Sequence, residues 1–274
     1  MSGPETSFRD FEHTGWSDAG ICEKYDEHFG TVTRQSIEAL LNAAGVTHGS
    51  RVLDVCTGAG YGAGVAAERG ALATGLDFSA AQVRLARGRY PAASFEQGDG
   101  MALPFAAESF DCVVNSLGIP HFSDPDAAFR EAFRVLRRGG KFAFTVYDIP
   151  ERAVGVGAIY RAIQAHGTLE VGLPKGPPFF LFSDPAESKA RLAAVGFISI
   201  SNTSQPQVWR LASLDAAIEA VLQGSVRAAA TLRAQSAQAL PRIRATIGAI
   251  LDPYWKADRY EVPMPTVITV ATKA

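Results

Sequence analysis

The feature that most constrains the fold is a repeated order: a short apolar run, then glycines or an acid, then a helix-forming stretch. The run Val52–Val55 ends in the turn Cys56–Gly60 and continues into an alanine-rich stretch. The run Ala71–Leu76 leads into a helix from Ser79, with Gln82 three residues later as in a capping box. This alternation predicts a mostly parallel sheet that is covered by helices on both faces.

The same order continues along the chain. A helix start at Asp124-Pro125 separates the fourth predicted strand from the fifth. The later predicted strands are Ala93–Gln97, Cys112–Asn115, Lys141–Tyr147, a late strand from Ile198 to Ile200 and a closing strand from Thr266 to Ala271.

Three successive strand ends carry a glycine turn and two acids. Asp77 follows Gly58 by 19 residues, and Asp99 ends the third strand. A glycine turn lets a ligand approach the backbone and meet the first amides of the next helix. A carboxylate at the second strand end can accept both hydroxyl groups of a ribose. The pattern therefore predicts a nucleoside-binding edge on the carboxyl side of the sheet.

Two classes of cofactor compete for this edge. The spacing Gly58-x-Gly60-x-x-Ala63 satisfies the dinucleotide fingerprint, so a nicotinamide cofactor stays an alternative. Asp54 lies within the first strand, four residues before Gly58. A carboxylate there would repel a pyrophosphate but would attract the amine of a methionine group. The sequence favours a nucleoside that carries an amino acid.

A wider set of motifs follows in order. The motifs are Val52–Val55 with Gly58-x-Gly60, Gly75–Ser79, Gly98–Phe105, Phe110–Val114 and Leu136–Lys141. In these motifs the sequence resembles the class I S-adenosylmethionine-dependent methyltransferases, in particular the small-molecule group that includes the ubiquinone/menaquinone-biosynthesis methyltransferases. Cys56 departs from the family's usual glycine, and we expect this small residue to be tolerated.

The resemblance implies a fold and a cofactor. The fold is an α/β, Rossmann-like three-layer sandwich, with a mostly parallel seven-stranded sheet, a C-terminal antiparallel hairpin and a helical lid. By position, Asp77 would bind the ribose hydroxyls, Asp99 the adenine amino group, and Asn115 and Ser116 the region of the methionine portion. The residues expected to bind S-adenosyl-L-methionine are Tyr25, Asp54, Thr57, Gly58, Ala59, Gly60, Asp77, Phe78, Gln82, Asp99, Gly100, Met101, Asn115 and Ser116.

Two residues are candidates for a catalytic role. His121 follows the fourth strand and is a candidate general base, with a pocket-shaping loop histidine as the alternative. Tyr25 is the second candidate, since its ring could contact a sulfonium through a cation–π interaction; ordinary packing of its helix explains it equally well. The other histidines lack metal-ligand spacing, so no metal is expected.

The chain length predicts a single methyltransferase domain over residues 1–274. We expect an N-terminal helical cap at 1–45, a cofactor-binding core at 46–147, a lid insertion at 148–182, and a C-terminal part with strands and helices at 183–274. Glycines and prolines indicate the lid. The aromatic residues that could fill the lid or form a substrate wall are Phe179, Phe180, Phe182 and Trp209.

The charges nearly cancel, with 26 basic and 28 acidic residues and a net charge of −2, so bulk charge does not favour a nucleic acid partner. Three cysteines without a C-x-x-C pair fit the reduced cytoplasm, the expected location. No apolar stretch predicts a membrane span or a signal peptide. The expected partner is a small-molecule acceptor, and a homodimer is left open.

The expected activity is transfer of a methyl group from S-adenosylmethionine to an oxygen, nitrogen or carbon of a small, apolar or aromatic acceptor. The aromatic, weakly charged lid carries the expectation about the acceptor. The alternatives are an NAD-dependent oxidoreductase, and a non-methylating enzyme or regulatory binding protein on the same scaffold.

Overall fold

The structure, a computed structural model, describes residues 6–274. Contacts between Cα atoms divide these residues into two units, and each is described by itself. The sheet unit consists of residues 33–146, 176–205 and 267–274. The helical unit consists of the remaining described residues, which are 6–32, 147–175 and 206–266. The single-domain organisation and its boundaries stay predictions.

The helices and strands of the described residues alternate through much of the chain. The strands are β1 Arg51–Val55, β2 Leu72–Asp77, β3 Ser94–Gln97, β4 Phe110–Ser116, β5 Leu136–Tyr147, β6 Phe197–Gln205, β7 Val208–Leu211, β8 Trp255–Lys256, β9 Arg259–Pro263 and β10 Thr266–Lys273. The α-helices are α1 Phe8–Ser17, α2 Ala19–Thr33, α3 Ile37–Ala44, α4 Tyr61–Glu68, α5 Ala80–Arg89, α6 Pro125–Val135, α7 Val154–His166, α8 Pro185–Val195, α9 Leu214–Gly224, α10 Arg227–Arg233 and α11 Ala239–Leu251.

The sheet unit is built on a seven-stranded sheet with the order β3-β2-β1-β4-β5-β10-β6. The pairs β1 with β2, β1 with β4, β2 with β3, and β4 with β5 are parallel. The two strands at the far edge form the antiparallel C-terminal hairpin. The predicted fold class is therefore confirmed, and the carboxyl ends of β1, β2 and β4 lie side by side.

Alternate residues of β1 supply the two cores of the sheet unit. Val52 packs in a cluster with the buried face of α3, whereas Leu53 and Val55 pack with α6 on the other side of the sheet. Because both faces are covered, the strand is apolar apart from Arg51, which is exposed at its start, and Asp54, which is buried. A buried carboxylate in such a strand needs a specific reason.

The aromatic residues of the predicted lid divide between the units. Phe182 is buried in the sheet unit, where its ring lies 5.4 Å from Phe129 and 6.3 Å from Phe144. Phe179 and Phe180 are half-buried in the same unit. Trp209 belongs to the helical unit and is buried there. Phe182 and Trp209 are therefore core residues of their units, and a substrate wall from the other two stays a prediction.

The helical unit contains six of the α-helices and an antiparallel sheet with the order β7-β9-β8. Trp209 on β7 stacks on Phe29 of α2, with ring centroids 5.0 Å apart, and its Nε1 donates to the carbonyl of His28 at 3.0 Å. Helix α7 packs on α11. Three distant chain segments thus form one core. Within residues 6–274, no helix is both long and apolar enough to cross a membrane.

An ion pair on α6 holds the loop that follows β3. Arg134 donates to the carbonyl oxygens of Phe105 and Leu103 at 2.7 and 2.9 Å. Glu131 accepts from the amide of Leu103 at 2.7 Å and pairs with Arg134. Each of these hydrogen bonds involves a charged group, which makes it stronger than a neutral one. The pair therefore fixes a loop whose first residues include Asp99.

We predict that Arg134→Met lowers the melting temperature by roughly 3–8 °C, because two charge-assisted bonds to the loop are lost and Glu131 loses its partner. Arg130→Met on the same helix is the control, since the Arg130 side chain is 59% exposed and pairs with an exposed Asp124. Differential scanning calorimetry measures both variants. Equal melting temperatures for the two would refute the role of Arg134.

Candidate functional site

Asp54 joins the end of β1 to the first turn of α4. Its Oδ2 accepts from Thr57 Oγ1 at 2.7 Å and from the amide of Ala63 at 2.9 Å. Gly62 allows this approach, because a Cβ there would lie 2.7 Å from the same oxygen. The second oxygen, Oδ1, is buried and has no hydrogen-bond partner in the described part of the chain. Oδ2 therefore has a structural role, and Oδ1 is available to bind a ligand.

Asp54 gains or loses its proton at a pH close to neutral. Burial raises the pKa of its carboxyl to about 6, although the bonds from Thr57 and Ala63 oppose the shift; the charge of Asp77 raises the pKa further. A positively charged ligand group beside Oδ1 would favour the ionised form. Binding of such a ligand is therefore coupled to loss of a proton from Asp54 below about pH 6.

The turn after β1 is left-handed at three positions. Cys56, Gly58 and Gly60 have φ values of 57°, 53° and 87°. This conformation favours glycine, which gives a physical reason for the glycine that the resembling family places at position 56. A Cβ on Gly60 would lie 2.8 Å from Ala86, whereas a Cβ on Gly58 would meet nothing within 4 Å. The space in front of Gly58 is open.

Asp77 at the end of β2 is oriented by two backbone amides. Its Oδ2 accepts from Gly58 and its Oδ1 from Ser79, both at 2.9 Å. Burial raises the pKa of Asp77, while these two amides and the nearby His121 lower it. Ser79 caps α5 as predicted, accepting from the amide of Gln82 at 3.3 Å. The predicted capping box is incomplete, because the Ser79 amide donates to Asp77 and Gln82 Oε1 has no hydrogen-bond partner among the described residues. The carboxylate is thus held beside the glycine turn, and its remaining lone pairs can accept further hydrogen bonds.

The third acid lies in the loop after β3. Asp99 is half-buried, and its Oδ1 accepts from the amide of Met101 at 2.8 Å. Gly100 is buried, and a Cβ there would lie 2.8 Å from both Phe122 and Val55. Two other residues predicted to bind the cofactor, Phe78 and Met101, are half-buried, and Ala59, Thr57 and Gln82 are buried.

Asn115 at the end of β4 bonds to the protein through both atoms of its amide. Nδ2 donates to the carbonyl of Val55, and Oδ1 accepts from the amide of Gly118, both at 2.9 Å. The chain turns at Leu117, whose φ of 63° no motif indicates. The neighbouring Ser116 Oγ is buried and unpaired among the described residues. Asn115 thereby positions the turn, and its contact with a methionine portion stays a prediction.

The two candidate catalytic residues lie in different units. His121 ends a 3₁₀ turn after β4, is half-buried, and affects the pKa of Asp77, so it belongs to the same sheet edge. Tyr25 lies on α2 in the helical unit, edge-on to Trp16 at 5.3 Å and stacked on Phe29 at 5.6 Å. Its packing is established, and its role at a cofactor stays a prediction.

The sheet edge fits a nucleoside that carries an amino acid group. The open space at Gly58 admits a ligand close to the backbone. Two oriented or half-buried carboxylates, Asp77 and Asp99, suit hydroxyl and amino donors, and the unpaired oxygen of Asp54 suits an ammonium group. In the part of the chain that the structure describes, no group of three or more His, Cys, Asp or Glu residues could hold a metal.

A separate cavity lies at the amino end of the strands. It measures about 390 Å³ and is lined in part by His48, Asp111 and Lys141. Asp111 is paired there with Arg51 and Arg137 at 3.0 and 2.5 Å. Asp111 is therefore already paired with two arginines. Since ligands of open α/β sheets bind at the carboxyl ends of the strands, the edge with Asp54 and Asp77 is the better candidate site.

Comparison with known proteins agrees with this reading. Residues 53–144 match the family described as methyltransferase domain. Over 137 residues the chain is 35% identical to demethylmenaquinone methyltransferase of Renibacterium salmoninarum, covering 48% of this chain and 58% of that protein. Over 109 residues it is 36% identical to 2-phytyl-1,4-naphtoquinone methyltransferase of Thermosynechococcus vestitus, covering 38% and 48%. The chain thus spans about half the length of these curated relatives.

A solved structure agrees over more of the chain. Phosphoethanolamine N-methyltransferase 2 of Haemonchus contortus, in complex with S-adenosyl-L-methionine, superposes with a TM-score of 0.59 at 22% identity, covering 97% of this chain and 60% of that one. At this identity the likeness shows the fold. The match of residues 53–144 to a methyltransferase domain agrees with the resemblance of the motifs to the class I S-adenosylmethionine-dependent methyltransferases.

The raised pKa of Asp54 predicts a pH-dependent stability. The folded state keeps a proton on this carboxyl between its ordinary pKa of 3.8 and about 6, so the free energy of unfolding falls as pH rises through this window. Asp54→Asn has no such loss. Its stability relative to wild type should therefore increase by roughly 2 kcal/mol between pH 4 and pH 7, measured by urea unfolding.

Asp111→Asn is the control of opposite sign, because the hydrogen bonds from Arg51 lower the pKa of Asp111 to about 2 although burial opposes this shift. The stability that this ionised carboxylate contributes is fully present above pH 4 and is lost as pH falls towards 2. The difference between wild type and Asp111→Asn should be constant from pH 5 to pH 7. A similarly constant difference for Asp54→Asn would refute the raised pKa.

Proposed function

We propose that this protein transfers a methyl group from S-adenosylmethionine to a small, apolar or aromatic acceptor. The observation that carries the proposal is the unpaired, buried Oδ1 of Asp54 beside the open glycine turn. This arrangement suits the amine of a methionine group, and Asp77 beside the glycine turn and Asp99 in the loop after β3 are our candidates for the ribose and the adenine. The curated relatives named above are methyltransferases, and none of their names indicates a nicotinamide oxidoreductase.

The residues of the chain would mainly bind and orient. Asp77, fixed by two amides, would accept the ribose hydroxyls, and Asp99 would accept from the adenine amino group. The cofactor supplies a methyl group on a positively charged sulfur. Holding an acceptor atom in line with such a group is worth up to about 7–11 kcal/mol of the barrier, so a strong base is not required.

An acceptor hydroxyl would still have to lose its proton. A ring nitrogen of His121 is our candidate for receiving it, because the half-buried imidazole lies on the same sheet edge as Asp77. Tyr25 is proposed to contact the cofactor with its ring. Both roles rest on the resemblance and on position in the chain.

The acceptor class follows from the relatives and the lid. Two relatives act on quinone-type molecules according to their names, and we propose an aromatic, quinone-like acceptor for this chain. Incubation with labelled S-adenosylmethionine and a panel of phenols, amines and quinone precursors tests the activity. Label in at least one product supports the proposal, and cofactor binding without any labelled product would favour a regulatory or non-methylating role.

We also propose the cytoplasm as the location of this protein. The proposal is supported by the three cysteines, which form no disulfide.

The glycine turn predicts a specific loss of cofactor binding. Gly58→Ala places a methyl group in the open space of the turn, so the affinity for S-adenosylhomocysteine should fall at least tenfold, measured by calorimetric titration. Gly49→Ala is the matched control, because Gly49 also has a positive φ of 78° and open surroundings. Both variants should lose similar stability, roughly 1 kcal/mol from backbone strain. Equal affinity in the two variants would contradict this site.

The proposed role of His121 predicts a change in turnover alone. His121→Ala should reduce turnover of a hydroxyl acceptor at least roughly tenfold, the low end of general-base effects, and should leave affinity for S-adenosylhomocysteine unchanged. Steady-state kinetics over a pH range, with calorimetry on the same variant, separates the two quantities. Unaltered turnover would reject the role of His121 as a base.

A further inference from the structure

The cavity at the amino end of the strands lies entirely within the sheet unit, at the end opposite to the proposed cofactor site. Its lining comes from the end of α3 and the loop that follows, from the start of β4 and from the start of β5. The volume of about 390 Å³ equals that of about 13 water molecules at roughly 30 Å³ each. Sites for small ligands have this size, so the cavity can hold a ligand of its own.

Strand β5 is irregular where it borders the cavity. The register between β4 and β5 shifts between Phe110 and Cys112, so that residues 137–140 stand opposite the single residue Asp111. Gly139 in this bulge has a φ of 73°, and a Cβ on it would meet nothing within 4 Å. Bulges of this kind are over-represented next to functional sites. The bulge leaves open space at this edge of the sheet.

Two arginines at the cavity pair with one acid. Asp111 Oδ2 accepts from the amide and Nε of Arg51 at 2.7 and 3.3 Å, and Oδ1 accepts from Arg51 Nη2 and Arg137 Nε at 3.0 and 2.5 Å. One guanidinium charge is therefore in excess. Arg137 is 54% exposed, and no hydrogen bond within residues 6–274 uses its Nη1 or Nη2. These two donors suit the oxygens of a phosphate group.

Lys141 supplies a second cation to the cavity. A Cβ on Gly45 would lie 3.7 Å from its Nζ, so the ammonium is beside the end of α3, where it offsets the partial negative charge of the helix. The carbonyl of Ala44 at this end accepts from Cys112 Sγ at 3.2 Å. Lys141 is half-buried and has no hydrogen bond or ion pair in the described part of the chain. An anion beside this ammonium would be favourable.

The loop after α3 lines the other side of the cavity with neutral polar groups. The hydroxyls of Thr47 and Ser50 are 3.2 Å apart, and the ring of His48 makes no hydrogen bond to any described residue. Hydroxyl and imidazole groups can donate to and accept from the hydroxyls of a ligand. The complementary ligand is therefore a small polar molecule that carries an anionic group at one end and hydroxyl groups at the other.

We propose that this cavity binds a phosphomonoester of a small hydroxylated molecule. Arg137 and Lys141 bind the phosphate group, and the hydroxyl-bearing part lies against the loop with Thr47, His48 and Ser50. The site is distinct from the proposed cofactor site, because it shares no residue with the edge at the carboxyl ends of the strands.

The first test measures which ligand binds. Calorimetric titrations of the full chain compare glycerol 3-phosphate, inorganic phosphate and glycerol at about pH 8, where a phosphomonoester is a dianion because its second pKa is about 6. Glycerol 3-phosphate should bind at least roughly threefold more tightly than inorganic phosphate, and glycerol should not bind. Equal or tighter binding of inorganic phosphate would indicate a site for the free ion and would overturn the proposal, as would no binding of either phosphate.

The second test locates the phosphate. Arg137→Gln and Lys141→Gln should each weaken the binding of glycerol 3-phosphate at least roughly tenfold, because each removes a charged hydrogen-bond donor. Arg138→Gln is the matched control, since it removes the same charge from the adjacent exposed residue, which does not line the cavity. It should change the affinity less than twofold, roughly the effect of a screened surface charge. Equal weakening by Arg137→Gln and Arg138→Gln would show attraction by general charge alone and would overturn the proposal.

Lys141→Arg keeps the positive charge and should retain the affinity to within about threefold, which separates loss of the charge from a failure to fold. Affinity as low as in Lys141→Gln would contradict the role of this cation.

Competition separates this site from the cofactor edge, where the amides of the glycine turn could also bind a phosphate. Saturating S-adenosylhomocysteine should leave the binding of glycerol 3-phosphate unchanged, and Lys141→Gln should leave the affinity for S-adenosylhomocysteine unchanged. Displacement of glycerol 3-phosphate by S-adenosylhomocysteine would place the phosphate at the glycine turn and overturn the proposal.

Discussion

The carboxylate of Asp54 is the interaction on which the rest of the site depends. It lies inside a strand whose other buried residues are all apolar, and its burial is unfavourable unless something compensates. One oxygen is compensated by Thr57 and Ala63, and these bonds close the turn between β1 and α4. The other oxygen is left to a ligand. Asp54 thus makes the strand less stable than an apolar residue would, and it places a charge at the sheet edge.

The surrounding residues convert this one charge into a binding edge. Asp77 reaches across to the amide of Gly58, so the second strand end and the glycine turn are fixed to each other. Asn115 does the same between β4 and the end of β1. The pair of Glu131 and Arg134 holds the loop after the third strand. Every strand end at the site is therefore tied to a neighbour, and such preorganisation reduces the entropy lost when a ligand binds.

Local sequence patterns predict much of this arrangement, because strand ends and turns depend on residues that are close together in the chain. The apolar run before Gly58 and the acids at 77 and 99 locate the strand ends, and parallel strands place their ends at one edge. The left-handed turn at Leu117 carries no such signal, because leucine seldom adopts a positive φ.

Long-range contacts are the other part that the sequence does not reveal. The stack of Trp209 on Phe29 joins residues 180 positions apart, and nothing in the local pattern of either segment indicates the other. For the same reason the sequence does not show that residues 147–175 and 206–266 share one unit, or that Gln207, whose sequence context is that of an ordinary loop, is buried. Burial of polar atoms without partners is visible only in three dimensions.

The central claim is that the edge with Asp54, Asp77 and Gly58 binds S-adenosylmethionine and not a dinucleotide. Calorimetric titration of the unmodified protein with S-adenosylhomocysteine and with NAD, in parallel thermal unfolding experiments, tests it most directly. We predict saturable binding of S-adenosylhomocysteine, with a stabilisation of about 2.7 kcal/mol at a hundredfold excess over Kd, and no effect of NAD. Stabilisation by NAD without any by S-adenosylhomocysteine would contradict the claim.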